Sequence, residues 1–392
     1  MATIDFGSAM RSARASNPAP IPAILAAAAA GVPATDLVIY LVDFGQTTLE
    51  PLPDGAPHAE LPVTENVATT MAGRSFIEQR VISAPRDGGV RVWAPMLEGS
   101  DRRGVVAITV PAFDDRVGRD AEDLGLLAGY LIAADARSTD LYHLYRRRRR
   151  MSLAASMQWA LLPPLVMNRG PLAVAGLLEP AYDVGGDCFD YAANGQVFDL
   201  AVMDAMGHSV GAAVISALAM GCYRHGRREG RALTAMHSDL ASTMEAQFPD
   251  KSFATGVLGR IDTASGAFTW TNAGHLLPLL VRDGRVIGQL ACKPTPPWGV
   301  GGGGEPMTAT EHLEPGDSLL LYTDGVTEAR TPAGETFGVD RLIDLTERSA
   351  SNLLSPEATV RHLIDSVREH RRDDLADDAT VVMVRWHGPA EP

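Results

Sequence analysis

Short apolar blocks separated by turn residues dominate the hydrophobic pattern of this chain. TDLVIYLVDFGQTTLEPLP (35–53) predicts strand, turn and strand, because β-branched and aromatic residues run between Asp, Gly and Pro. VRVWAPMLEGSDRRGVVAITVP (90–111) predicts a second such pair around the turn EGSDRRG. With helical spacing at 64–80 and 120–136, these make a small α+β domain over 1–130. IPAILAAAAAGVPA (21–34) raises the question of an export signal, since Arg11 and Arg14 precede it. Alanine forms a weak apolar segment and prolines 18, 20 and 22 interrupt it, so it reads as a helix of the first domain.

Residues 119–162 carry a nearly continuous helical pattern through Leu124, Leu127, Leu131, Leu141, Leu144 and Tyr145, stopped by Pro163 and Pro164. This predicts a helical linker over 131–165, suited to dimerisation or signal transmission, or serving as a rigid spacer. The run Arg146 to Arg150 reads as a solvated linker face. From 170 onward strands dominate: 171–181, 196–204, 253–274, 277–290, 316–325 and 379–386. Helical runs fall between them at 208–226, 231–247, 340–348 and 357–370. Hairpins with interspersed helices imply mixed sheets flanked by helices and argue against a doubly wound parallel sheet.

At 392 residues two domains are expected. With 34 Lys and Arg against 48 Asp and Glu, the net charge of −14 argues against a general nucleic-acid binder, and a phosphate-bearing partner would need local help such as a metal. Cys188, Cys222 and Cys292 are widely spaced and form no CxxC pair, which fits a reducing cytoplasm. No stretch reaches the roughly 18 apolar residues of a membrane helix.

The segment VMDAMGHSVGAA (202–213) runs an apolar strand into Asp204 and then turns through small residues. Asp187 in YDVGGDCFDY, Asp324 in LLLYTDGVTEA and Asp377 with Asp378 in LADDATVVMV share that setting at the edge of an apolar strand. One such aspartate is a turn residue, but several converging on one side of a sheet need a cation to offset their repulsion. Oxygen ligands without histidine or thiolate partners point to Mg2+ or Mn2+. Two such ions can activate water and clamp a phosphoryl group, so phosphoester hydrolysis follows.

The strings VGGDCFDY, DAMGHSVGAA, TNAGHLLPL, LLLYTDGVTEA and DDATVVMV, in this order, resemble the PPM-type (protein phosphatase 2C-like) serine/threonine phosphatases of the bacterial SpoIIE/RsbU-like branch. The resemblance covers about 170 to 386, with MQWALLPP as a lead-in. It implies an α-β-β-α sandwich over 166–392, within a chain that is α+β throughout, and two Mn2+ or Mg2+ ions. Asp204 would bridge both ions and the carbonyl of Ala205 would be a ligand. Asp187 would hold one ion, Asp324 and Asp377 the other, with Asp378 behind them. The substrate it implies is a phosphorylated STAS-domain anti-anti-sigma protein, and a homodimer through the linker helix is expected. The first domain resembles a GAF-like sensor, through 35–53 and 93–111, with no ligand implied.

Two positions depart from the family pattern: Ser209 replaces a glycine common after GH, and Ala205 stands where many relatives have Gly or Val. His208 reads as a loop-ordering residue in preference to a general acid, and His275 as a brace within the sheet. CYRHGRR (222–228) has the spacing of cysteine phosphatases but lies on a helical run, and GVGGGG (299–304) follows PTPPW instead of a strand. The alternatives to a phosphoprotein phosphatase are a silent binding module that keeps the fold and a metal-dependent phosphoesterase acting on small molecules.

Overall fold

Residues 4–53, 63–183, 185–248, 252–302, 304–371 and 378–389 are described by the computed structural model, and the chain divides into two units, Met1–Arg150 and Met151–Pro392. In the first, α1 (Phe6–Arg14) and α2 (Ile21–Ala28) precede β1 (Asp36–Val42), β2 (Thr48–Pro51) and β3 (Glu65–Asn66). Then come α3 (Met71–Glu78), β4 (Ile82–Arg86), β5 (Gly89–Glu98), β6 (Asp101–Val110), α4 (Asp115–Asp135) and α5 (Leu141–Arg146). The strands form one antiparallel sheet in the order β3-β2-β1-β6-β5-β4. Alternation along β1 and β6 puts Ile39, Leu41, Val106 and Ile108 against α1, α2 and α4, and Tyr40, Val42, Val105 and Ala107 against α3. The 21–34 segment thus supplies core, with Ile21 and Leu25 fully buried. No helix among the described residues is long and apolar enough to cross a membrane.

The helical pattern over 119–162 is not one helix. α4 ends at Asp135, whose carboxylate accepts from Ala19 N (3.1 Å) and the Tyr142 hydroxyl (2.8 Å), and α5 is a short helix within the same unit. The backbone is extended at Arg147 and again at Ser152, whose hydroxyl caps the next helix by accepting from Ala155 N at 3.0 Å. Apolar spacing continues across both breaks, but Ser, Thr and Asp side chains compete there for backbone groups, and successive arginines repel one another. The arginine run is also not simply solvated: Arg146 donates to the Val42 carbonyl and lies over the Phe44 ring, and Arg148 pairs with Glu50 at 3.2 Å.

The second unit opens with α6 (Leu153–Leu161), β7 (Val166–Arg169), β8 (Leu172–Glu179), β9 (Asp187–Asn194), β10 (Val197–Ala205), α7 (Ser209–Arg228) and α8 (Leu233–Gln247). It continues with β11 (Ala254–Asp262), β12 (Ala267–Ala273), β13 (Leu279–Arg282), β14 (Arg285–Gln289), β15 (Ala309–His312) and β16 (Ser318–Tyr322). α9 (Asp324–Thr327), α10 (Val339–Ser351), α11 (Pro356–Arg371) and β17 (Ala379–Trp386) complete it. Two antiparallel sheets result, β15-β12-β11-β10-β9 and β14-β13-β16-β17-β8-β7. Phe198, Leu200, Val202 and Trp270 of the first meet Val174, Leu319, Leu321 and Val384 of the second in a shared core. The outer face of the first sheet packs on α7 and α8 through Ala201, Met203, Leu240 and Met244. That of the second packs on α10 and α11 through Leu320, Met383, Leu342 and Leu363. The unit is therefore layered helix, sheet, sheet, helix, as the family resemblance implied, and its named strands pair antiparallel throughout where the strand pattern had suggested mixed sheets.

Candidate metal centre and active site

β9 is a strand that the sequence pattern missed, since its approach through two glycines and its three polar residues lower strand propensity. It pairs antiparallel with β10 in a register that sets Asp187 opposite Asp204. Two carboxylates thus face each other across the last pair of that ladder. Asp204 is half-buried and Asp187 is 2% exposed. Burial above all, then the charges of Asp204 and Asp378, hold the Asp187 carboxyl well above the usual carboxylate range, while a Thr323 hydroxyl works the other way.

The second sheet closes on this pair. Thr323, at the end of β16, donates its hydroxyl to Asp187 Oδ2 at 2.6 Å and accepts from Thr380 N at 3.0 Å. Asp324 follows Thr323 directly and opens α9. Gly325 is what allows that approach: a Cβ there would stand 1.8 Å from the Asp378 carbonyl oxygen. Asp378 Oδ2 accepts from Gly186 N (2.7 Å), Asp187 N (3.1 Å) and Gln158 Nε2 (3.0 Å). The same Gln158 amide donates to the Asp187 carbonyl at 2.7 Å. Asp378 therefore orders the backbone beneath Asp187.

Of the residues expected at the site, Asp204 and Asp378 each act electrostatically on Asp187, and Asp324 follows Thr323 at the start of α9. Asp377 lies outside the described residues. Among the described residues no group of three acidic, histidine or cysteine side chains is gathered at metal-holding distance. The donors present fit a hard divalent cation nonetheless. They are carboxylate oxygens and the Ala205 carbonyl, with mutual repulsion left for a cation to offset. Gly186 packs against that carbonyl, since a Cβ on it would sit 3.1 Å from Ala205 O and 3.3 Å from Gly207 O.

His208 is exposed and makes no side-chain capping bond at the start of α7. Ser209 explains the glycine usual there, since its φ is 75°. His275 braces the sheet: its Nδ1 pairs with Thr255 Oγ1 at 2.7 Å, and Asn272 clasps its backbone N–H and C=O. Burial pushes its imidazole down to about 4. Cys222 sits within α7, away from any strand-to-helix turn that could cradle phosphate. Gln158 and Thr323 had no assigned role from sequence. The only signal was a glutamine on the buried face of a mostly apolar helix and a threonine just before a strand-end aspartate.

Residues 194–387 match the family described as Stage II sporulation protein E (SpoIIE). This region is a SpoIIE-family phosphatase domain of the PP2C type. The phosphoserine phosphatase RsbU of Bacillus subtilis is 24% identical over 238 residues, covering 60% of this chain and 69% of RsbU. Protein IcfG of Synechocystis is 35% identical over 92 residues, 24% of this chain, but the match spans only 14% of IcfG. Among solved structures, the SiaA-PP2C domain of Pseudomonas aeruginosa is 20% identical with a TM-score of 0.51, covering 59% of this chain and 94% of that domain. That likeness shows the same fold. The SpoIIE-family region is thus homologous to a phosphoserine phosphatase, and PPM phosphatases are in general metal-dependent.

Proposed function

We propose that the second unit is a protein serine/threonine phosphatase that hydrolyses phosphoserine or phosphothreonine with two Mn2+ or Mg2+ ions. The carboxylates of Asp187 and Asp204, set opposite each other by the β9–β10 register and repelling each other there, carry this reading. Asp187, Asp204, the Ala205 carbonyl, Asp324 and Asp377 would hold the ions. When bound, the ions supply Lewis-acid stabilisation of phosphoryl charge and a water of lowered pKa. The chain's own contribution is alignment. Thr323 fixes one oxygen of Asp187, Asp378 and Gln158 fix its backbone, and the lack of a side chain at Gly186 spares the Ala205 carbonyl a tight contact. Gly325 lets Asp324 approach from the other sheet.

The substrate class we favour is a phosphorylated STAS-domain anti-anti-sigma protein in a partner-switching pathway, supported by similarity to RsbU. The first unit, six antiparallel strands with helices on both faces, supports a GAF-like sensor role, and the reading includes a homodimer in the cytoplasm. The test is phosphate release from a phosphoserine-bearing STAS protein and from an aryl phosphate, with Mn2+, Mg2+ or chelator, for wild type and Asp204→Ala. Metal-dependent release that disappears in the variant supports the proposal. A wild type inert on both substrates favours a binding module that has kept the fold.

A further inference from the structure

Asp190 lies three residues beyond Asp187 on β9 and is 3% exposed. Arg224 of α7 grips it with both arms of its guanidinium, Nε to Oδ2 at 3.0 Å and Nη2 to Oδ1 at 2.9 Å. Arg227 adds a contact from Nη1 to Oδ2 at 2.8 Å. Two arginines on one carboxylate exceed what neutralisation requires. The difference between them is that Arg224 Nη2 also donates to the carbonyl of Leu161, the last residue of α6, at 2.5 Å. Arg224 thus ties α6 to β9, while Arg227 ties only α7 to β9.

α6 is the helix that carries Gln158, one turn before Leu161, and Gln158 is the side chain that reaches both the Asp187 carbonyl and Asp378. At its other end α6 is held by the Ser152 cap and by Ser152 N donating to the Tyr182 carbonyl at 2.8 Å. The helix is therefore pinned at both ends with Gln158 between.

We propose that Arg224 is a positioning residue for the metal centre: by holding the end of α6 against β9, it sets where Gln158 presents its amide to the Asp187 backbone. This rests on the phosphatase reading above. A lysine keeps the charge but cannot fork onto a carboxylate and cap a carbonyl at once, so Arg224→Lys separates geometry from charge.

The test is a double-mutant cycle on the full chain with Arg224→Lys, Gln158→Ala and both, reading Mn2+ binding by calorimetry and thermal midpoint in chelator. Arg227→Lys serves as the control that touches the same carboxylate without touching α6. Mn2+ affinity should fall about tenfold in Arg224→Lys, the lower end of the loss for groups that orient metal ligands. The double variant should be no weaker than Gln158→Ala alone, because the two act along one route. Arg227→Lys should lower the midpoint and leave Mn2+ affinity unchanged. Additive losses in the cycle, or equal losses of Mn2+ affinity in the two lysine variants at similar midpoints, would overturn the assignment. Should Arg224→Lys fail to fold, Arg224→Gln, which keeps a planar amide donor, takes its place in the same cycle. A wild-type chain that binds no Mn2+ would instead count against the phosphatase reading itself.

Discussion

Asp43 in the first unit and Asp187 in the second are both almost sealed from water, at 1% and 2% exposure, yet their surroundings are opposite. Asp43 follows β1 and accepts from the backbone N–H groups of Gly45 (2.9 Å), Thr47 (2.7 Å) and Thr48 (2.8 Å), so its charge is met by the turn it closes. Asp187 receives the Thr323 hydroxyl, with Thr380 also acting on it, and faces Asp204, with Asp378 close behind. Asp190, on the same strand, receives two arginines. Three buried aspartates therefore show three states: satisfied by backbone, satisfied by counter-charge, and left electrostatically costly. Only the third keeps an electrostatic cost that a bound cation would offset, and strongly perturbed carboxyls cluster at working sites.

That comparison is sharpest at Asp187. Asp187→Asn removes a repelling charge and should raise stability in chelator by about 1 kcal/mol, while phosphate release drops by more than about a hundredfold, beyond the cost of losing an outer group. Asp43→Ala should do the reverse, losing about 2 kcal/mol through its unanswered N–H groups with phosphate release retained. Parallel denaturation and activity assays check both, and a destabilised Asp187→Asn would break the contrast.

Asp190→Asn tests the middle case. Leaving Arg224 and Arg227 without their carboxylate should cost about 3 kcal/mol, read from urea unfolding.

His237 adds a buried titratable group held without any charge partner, between the hydroxyls of Thr271 (3.2 Å) and Thr295 (2.8 Å). Burial pushes it down to about 4. Since an unfolded histidine titrates near 6.5, the unfolded chain takes up the proton first as pH falls, so this stabilisation is complete above about 6.5 and is lost progressively toward 4. Between pH 7 and 5 His237 should account for a loss of about 2 kcal/mol, and His237→Gln should reduce the slope there, leaving the share of His275, which burial lowers to the same range. An unchanged curve would show that another group controls acid unfolding.

The smallest effect concerns Ser209, whose φ of 75° disfavours a side chain. Ser209→Gly should gain roughly 0.5–1 kcal/mol without altering Mn2+ affinity, measured by thermal unfolding and calorimetry.

Much of this architecture was legible from spacing alone. The hairpins of β1 with β2 and β5 with β6, the strands β10, β16 and β17, and the helices α7, α8, α10 and α11 follow apolar periodicity, because each buries one face on a sheet. β9 was not legible, since its entry is glycine-rich and its place is secured by its pairing with β10. The supposed long helix misled for the converse reason, as periodicity persists across a break that capping side chains create.

LVDFG and VMDAMG look alike on paper: each is an apolar strand, then an aspartate, then a glycine within three residues. The sequence determined the elements, the order of the strand-end carboxylates and, through motif resemblance, the family. Which aspartate meets three N–H groups and which meets another aspartate was decided only by tertiary structure. So were the roles of Gln158, Thr323 and Arg224, because hydrogen bonds such as that from Gln158 to Asp378, 220 residues apart, depend on sheet register and helix placement. Periodicity records how much of each residue is buried, and it carries no information about what the residue is buried against.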